Sequence, residues 1–396
     1  MSGPGLLRGR VAALATVIVA LLGTGTWVAL THASSQPAQA ATAAAAAAAD
    51  TSGGAHQALA TPLRVLAVTP GANATHVNGG AEVHVVFSTA LAADSPLPKI
   101  QPAVTGKWRR GTGNSIRFVP AKGFSPQTQV RLRIPAGSHG VRAATGGLLS
   151  APVSVRFRTG TYSTRRLVQL LAQLKYLPLT WTPASPADAA PLTAAAQRRA
   201  AYEPPAGSFS WRHGYPAQLK TFWKHGGPGS LIVKGAVMAF EADHGLQLDG
   251  IAGPQVWDTA FAAARAGQSD AHGYTYAIAS EHSPETLTIW HNGRKVLRTL
   301  ANTGIPGRTT VPGTFPVYLR YLNTIMKGTN PDGSKYADPV YYVSYFDGGD
   351  AVHYFDRYSY GYYQSLGCVE LPWDAAKKAW PMLTYGSLVT VTGPVA

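Results

Sequence analysis

One cysteine, Cys368, stands in a chain that also holds 12 histidines. A thiol with no second cysteine cannot close an internal disulfide, and an idle, accessible one is an oxidation risk. Cys368 follows Gly367, whose missing side chain lets a substrate approach the backbone, so it reads as a nucleophile. The competing reading is a small, buried, inert apolar residue. A thiol attacks as its thiolate, and a neighbouring imidazole is the usual proton acceptor. No histidine follows Cys368, so any base lies upstream. His272, His282, His291 and His353 are the candidates in the C-terminal third. His353 is favoured, because two strands bridged by the Tyr- and Gly-rich loop between it and Cys368 would set the pair side by side. His282 and His291 flank a predicted hairpin and are expected at the surface. No His, Asp or Glu pair has metal-ligand spacing, so neither a metal nor another cofactor is expected.

The elements that must position these groups fall into three folded segments, giving a multidomain chain. Residues 61–160 read as an all-β sandwich: 83–87, 115–119, 130–134 and 153–157 mostly alternate apolar with polar, between Gly, Pro and Asn clusters. Residues 161–268 turn helical, with Leu167, Leu170, Leu171 and Leu174, then Val233, Val237 and Phe240, at helix spacing. A Pro/Ala-rich insert at about 178–208 is expected to be an exposed loop. Residues 271–396 are mainly β again. Asn292-Gly293 between apolar runs is a strong hairpin signal, further strands are expected at 313–319 and 387–392, and a short helix at 372–380.

The N-terminus has Arg8 and Arg10 before a mostly apolar stretch, Val11 to Leu30. Residues 1–32 therefore read as a signal peptide or a membrane anchor, which implies membrane association through this end and an extracytoplasmic address. Residues 33–60 are an Ala-rich linker with little to bury, expected to be disordered. Lys plus Arg number 34 against 19 for Asp plus Glu, a net charge of +15. On an exported chain that balance suits anionic envelope polymers or an acidic membrane face as well as a merely solvated surface. No nucleic-acid motif accompanies it.

Chain order excludes the papain-like and common wall-cutting Cys-His peptidases, which place His after Cys. Sortases need an Arg after the Cys, and none follows Cys368. His353 followed by Ser365-Leu366-Gly367-Cys368-Val369 instead resembles the L,D-transpeptidase catalytic signature, a His upstream of Ser/Thr-His-Gly-Cys. Residues 287–293, 301–305, 310–317 and 386–391 resemble the rest of that domain. Residues 61–160 resemble bacterial immunoglobulin-like modules, and 236–257 resemble a small helical peptidoglycan-binding module. Two positions depart from the catalytic pattern. Leu366 replaces the second His, and Glu370 stands where Arg or Asn is common. A carboxylate there would raise the thiol pKa unless paired, with Arg357 or Lys377 as the candidate partner.

The resemblance implies acyl transfer on peptidoglycan, the expected partner, forming 3→3 cross-links in the cell wall between a stem tetrapeptide donor and an acceptor stem. Cys368 would form the acyl-enzyme and His353 would carry protons. The N–H groups of Gly367 and Cys368 would form the oxyanion hole, and Ser365 would shape the loop. Tyr342, Tyr363 and Leu366 are expected to touch substrate. An L,D-carboxypeptidase, in which water takes the acyl group, and a non-catalytic wall-binding protein are the rival readings.

Overall fold

Alternation of apolar and polar residues builds the first folded segment. Strands β1 (Val65–Thr69), β2 (Val83–Phe87), β3 (Lys99–Gln101), β4 (Gly106–Arg110), β5 (Ser115–Pro120), β6 (Gln129–Ile134) and β7 (Val153–Arg158) form two antiparallel sheets, in the orders β1-β2-β5-β4 and β3-β6-β7. The inward set Val83, Val85, Phe87, Ile116, Phe118, Val130, Leu132, Ile134 and Phe157 makes one core. Each such side chain contributes about 1.5–3 kcal/mol by leaving water. The computed structural model describes residues 61–186, 193–223, 227 and 229–393. The apolar N-terminal segment and the Ala-rich linker lie outside the described residues, and none of the described helices is long and apolar enough to cross a membrane.

The second segment contains α1 (Thr164–Gln173), β8 (Leu179–Pro183), α2 (Ala194–Tyr202), β9 (Gly207–Trp211), α3 (Ala217–Thr221), α4 (Leu231–Asp243) and α5 (Pro254–Arg265). In the stretch expected to be an exposed loop, 178–208, residues 187–192 lie outside the described residues, and the described part instead pairs β8 with β9 and includes α2. The reason is in its own pattern: Leu179 and Trp181 alternate with Thr180 and Thr182, and both apolar side chains are buried with α1 and α4. In the last turn of α4, Glu241 Oε2 accepts the N–H groups of Asp249 (3.0 Å) and Gly250 (2.8 Å), which fastens the Asp-Gly turn to the helix. That carboxyl is buried, and burial pushes its pKa up to about 7.

The third segment has β10 (Thr275–Ser280), β11 (Thr286–His291), β12 (Arg294–Leu300), β13 (Gly313–Pro316), β14 (Leu319–Thr329), β15 (Lys335–Asp347), β16 (Asp350–Tyr354), β17 (Val369–Leu371), α6 (Trp373–Ala379) and β18 (Leu388–Thr392). One sheet runs β12-β11-β10-β18-β13 and the other β14-β15-β16-β17. The β11–β12 turn uses Asn292 (φ 49°) and Gly293 (φ 78°), the left-handed pair that a two-residue hairpin requires. The strand expected over 313–319 stops at Pro316, and β14 departs from Leu319 in the other sheet.

Between the sheets lies a core of Ala277, Leu287, Ile289, Phe346, Val352, Val369, Leu371 and Val389. Tyr274, Tyr276 and Leu388 belong to a different core, shared with Leu170, Val237 and Trp257 of the helices. The contact is close enough to need paired glycines. A Cβ on Gly235 of α4 would collide with the Gly386 carbonyl oxygen, and one on Gly386 with that of Gly235. Residues 59–396 are accordingly one compact unit.

Candidate active site

Strand pairing brings the thiol and the imidazole together. β16 and β17 are parallel neighbours with Val352 opposite Val369 and His353 opposite Glu370. Side chains alternate along a strand, so His353 and Ala351 share a face with Glu370 and with Cys368, the residue just before β17. Val352 and Val369 point the other way, into the inter-sheet core, while Cys368 packs beside Ala351, Val340 and Val343. Cys368 and His353 line one cavity of about 590 Å³ with Tyr336, Asp338 and Tyr345 of β15, Lys327 of β14, Asp350, Arg357 and Leu366. His353 is 2% exposed, and Cys368 is half-buried.

His353 Nδ1 lies 2.9 Å from the Tyr354 carbonyl oxygen. A carbonyl only accepts, so Nδ1 carries the proton and Nε2 keeps its lone pair, the form of imidazole that takes up a proton. Burial lowers the His353 pKa, against the raising effect of that hydrogen bond and of Glu370. Burial also pushes the Cys368 thiol up to about 12; Asp350 and Glu370 act in the same direction, and the Ala351 backbone N–H opposes them. The resting pair is therefore neutral thiol and neutral imidazole, and ionisation must accompany attack. The thiol donates its long hydrogen bond (3.8 Å) to the Gly349 carbonyl, so engaging His353 requires its hydrogen to leave that carbonyl, as catalytic contacts commonly tighten only with substrate bound.

Of the two candidates for Glu370, Arg357 is the partner. Its Nε and Nη2 donate to the two carboxylate oxygens at 2.8 and 2.7 Å, and Nη2 also reaches the Gln364 carbonyl at 3.1 Å. The pair answers the charge that Glu370 brings beside the thiol, and it ties down the loop leading to Cys368.

The family model for the L,D-transpeptidase catalytic domain matches residues 275–391, a span that contains this cavity and its thiol. Residues 275–391 are an L,D-transpeptidase catalytic domain. The model for a bacterial Ig-like domain matches residues 60–159. No curated protein matches the chain. Similar solved structures include an L,D-transpeptidase from Mycobacterium smegmatis, at 15% identity over 84% of this chain and 100% of that one, with a TM-score of 0.28. L,D-transpeptidase 3 from Mycobacterium tuberculosis, in complex with a faropenem-derived adduct, matches at 15% identity over 83% and 98% of the two chains, TM-score 0.28. The catalytic domain from the E. faecium L,D-transpeptidase matches at 29% identity over 30% of this chain and 96% of that one, TM-score 0.28. Scores this low do not transfer a mechanism. Neither family model covers the helical segment, and a peptidoglycan-binding fold is not among these findings.

Within the L,D-transpeptidase domain, the residues singled out from sequence divide. Cys368, His353 and Leu366 meet at the cavity. Gly367 was expected to offer its N–H to an oxyanion, but that N–H points at Ser365 Oγ (3.2 Å). Gly367 matters through its backbone instead: φ is 124°, and a Cβ there would collide with Asp350 Oδ1. Ser365 is fully buried outside the cavity lining, where its Oγ donates to the Cys368 carbonyl at 2.6 Å. Tyr342 lies outside the cavity lining. A shift in the β15–β16 register between Tyr341 and Ser344 accompanies its left-handed φ of 59° and its packing on Trp373 and Trp380. Tyr363 is exposed on the loop, outside the lining. Asp350, Asp338, Lys327, Tyr336 and Tyr345 were not foreseen from the sequence. Asp350 alone left a signal, three residues before His353 in a Gly-Gly-Asp run.

Proposed function

We propose that the chain is a peptidoglycan L,D-transpeptidase that forms 3→3 cross-links through a Cys368 acyl-enzyme. The observation that carries this reading is the imidazole of His353, held with Nδ1 protonated on the same sheet face and in the same cavity as the thiol. Cys368 Sγ attacks the carbonyl of the third stem residue while His353 Nε2 takes the thiol proton. The Cys368 N–H faces the developing oxyanion, a donor of a kind that contributes about 3 kcal/mol. As the C–N bond breaks, the imidazolium returns the proton to the leaving D-alanine amine. An acceptor amine then attacks the thioester, and the thiol is regenerated. The net charge of +15 suits an anionic wall outside the cytoplasm, and the helical segment is read as the part that holds glycan.

Mass spectrometry of the intact protein after exposure to a carbapenem tests the nucleophile. One adduct is expected on the wild type and none on Cys368→Ala; an adduct on both, or on neither, refutes the assignment. Incubation with tetrapeptide muropeptides tests the reaction: dimers are expected, and tripeptides alone would make the protein a carboxypeptidase.

A further inference from the structure

Asp338, Asp350 and Glu370 line the cavity; of the two that act on the thiol, Asp350 and Glu370, only one has a cation. Glu370 is paired with Arg357. Asp350, at the start of β16, lines the cavity beside Gly349 and Cys368, with its Oδ1 over the Cα of Gly367. Among the described residues it makes no salt bridge, and its hydrogen bond is a long one from the Val311 N–H, 3.4 Å to Oδ2. The groups around it offer no compensation: Asp347 of β15 is a second negative charge, and Tyr318, just before β14, and Cys368 are both neutral at rest. Burial accordingly raises the Asp350 pKa to about 6. A carboxylate held part-desolvated beside a nucleophile, without a counter-charge of its own, is completed by a cation that comes with substrate.

We propose that Asp350 binds the ammonium group of the acyl acceptor and so directs the acyl-enzyme toward aminolysis rather than hydrolysis. The proposal rests on the acyl-enzyme reading above. The acceptor arrives as R–NH3+ and its first proton passes to the Asp350 carboxylate, exposing the nitrogen lone pair. Nitrogen attacks the thioester carbon, and its second proton passes to His353 Nε2. The C–S bond breaks, and the imidazolium protonates the departing sulfur. The third hydrogen stays on the new amide, and Asp350 returns its proton to solvent. The requirement is for a cationic amine, so an uncharged nucleophile gains nothing from Asp350.

Asp350→Asn tests this, since the amide oxygen can still accept the Val311 N–H. Three quantities are compared with the wild type: the rate of carbapenem acylation, the dimer-to-tripeptide ratio from tetrapeptide muropeptides, and capture of the acyl group by hydroxylamine, which is uncharged at neutral pH. Acylation is expected to be as fast or faster, because a negative charge beside the thiol is gone. The dimer-to-tripeptide ratio is expected to fall about tenfold and to recover as acceptor concentration rises, with hydroxylamine capture unchanged. An unchanged dimer-to-tripeptide ratio overturns the proposal. So does a parallel loss of dimer formation and hydroxylamine capture, which would mark a structural role. Absence of any carbapenem adduct on the wild type would overturn the acyl-enzyme reading itself, and this inference with it.

Discussion

Replacing Arg357 by Gln strands a carboxylate. The Glu370 side chain is 6% exposed against 28% for Arg357, so the acid depends on the guanidinium far more than the reverse. Without it, the remaining polar neighbour of Glu370 Oε2 is the Asn302 amide at 3.5 Å. Removing one partner of a buried ion pair costs about 3–5 kcal/mol, because the other charge stays buried. The catalytic domain should therefore lose on the order of 10 °C in Tm. Glu370→Gln should cost less, since a guanidinium that is partly exposed finds water. The double variant Arg357→Gln/Glu370→Gln should recover most of the loss, as both desolvation costs disappear together. Calorimetry on the wild type, both singles and the double gives the coupling, and carbapenem acylation at pH 7 follows the site. Acylation should slow in Arg357→Gln, where the uncompensated carboxylate holds the thiol further from ionisation. A loss below about 1 kcal/mol in that variant, or a double variant as unstable as the sum of the singles, would refute the reasoning.

Three further outcomes are expected. His353→Gln should slow acylation by about 10²–10⁴-fold; timed intact-mass measurements check it, and an undiminished rate would remove His353 as the base. Gly367→Ala places a Cβ against Asp350 at a left-handed φ, a strain of about 1–3 kcal/mol, and should abolish most acylation while the Ig-like segment melts as before. Glu241→Gln should change the pH dependence of stability. The folded-state pKa of Glu241, about 7, lies above its ordinary 4.5, so its contribution is full below pH 4.5 and lost as pH rises through 7. At about 1.4 kcal/mol per unit the loss reaches about 3 kcal/mol. The variant should thus gain Tm over the wild type at pH 8 and none at pH 4.5; an equal difference at both would refute the sign.

The sandwich strands β2, β5, β6 and β7 were legible because each buries one face, and period-2 alternation is the direct record of that. The β14–β15 hairpin was not, since Leu319–Thr329 is mostly half-exposed or exposed and leaves no contrast between faces. Cys368 and His353 could be named from residue type and order, but their approach depends on the parallel register of β16 and β17, which local spacing does not encode. Glu370 was visible as a departure, whereas its choice of Arg357 over Lys377 is a tertiary fact. Tyr342 was misread because aromatic content says nothing about a bulge, and the 178–208 stretch because its Pro and Ala content hid the Leu179/Trp181 alternation.

The glycine contact between α4 and the turn before β18 bears on how such proteins can be divided. Tyr276 and Leu388 belong to the catalytic sheet, yet they are covered by α1, α4 and α5, all encoded before that sheet begins. A fragment cut at residue 271 would carry the whole reactive cavity and still expose a greasy flank to water. Transplanting the chemistry to another scaffold therefore means moving α1, α4 and α5 with it, or repainting that flank with polar side chains.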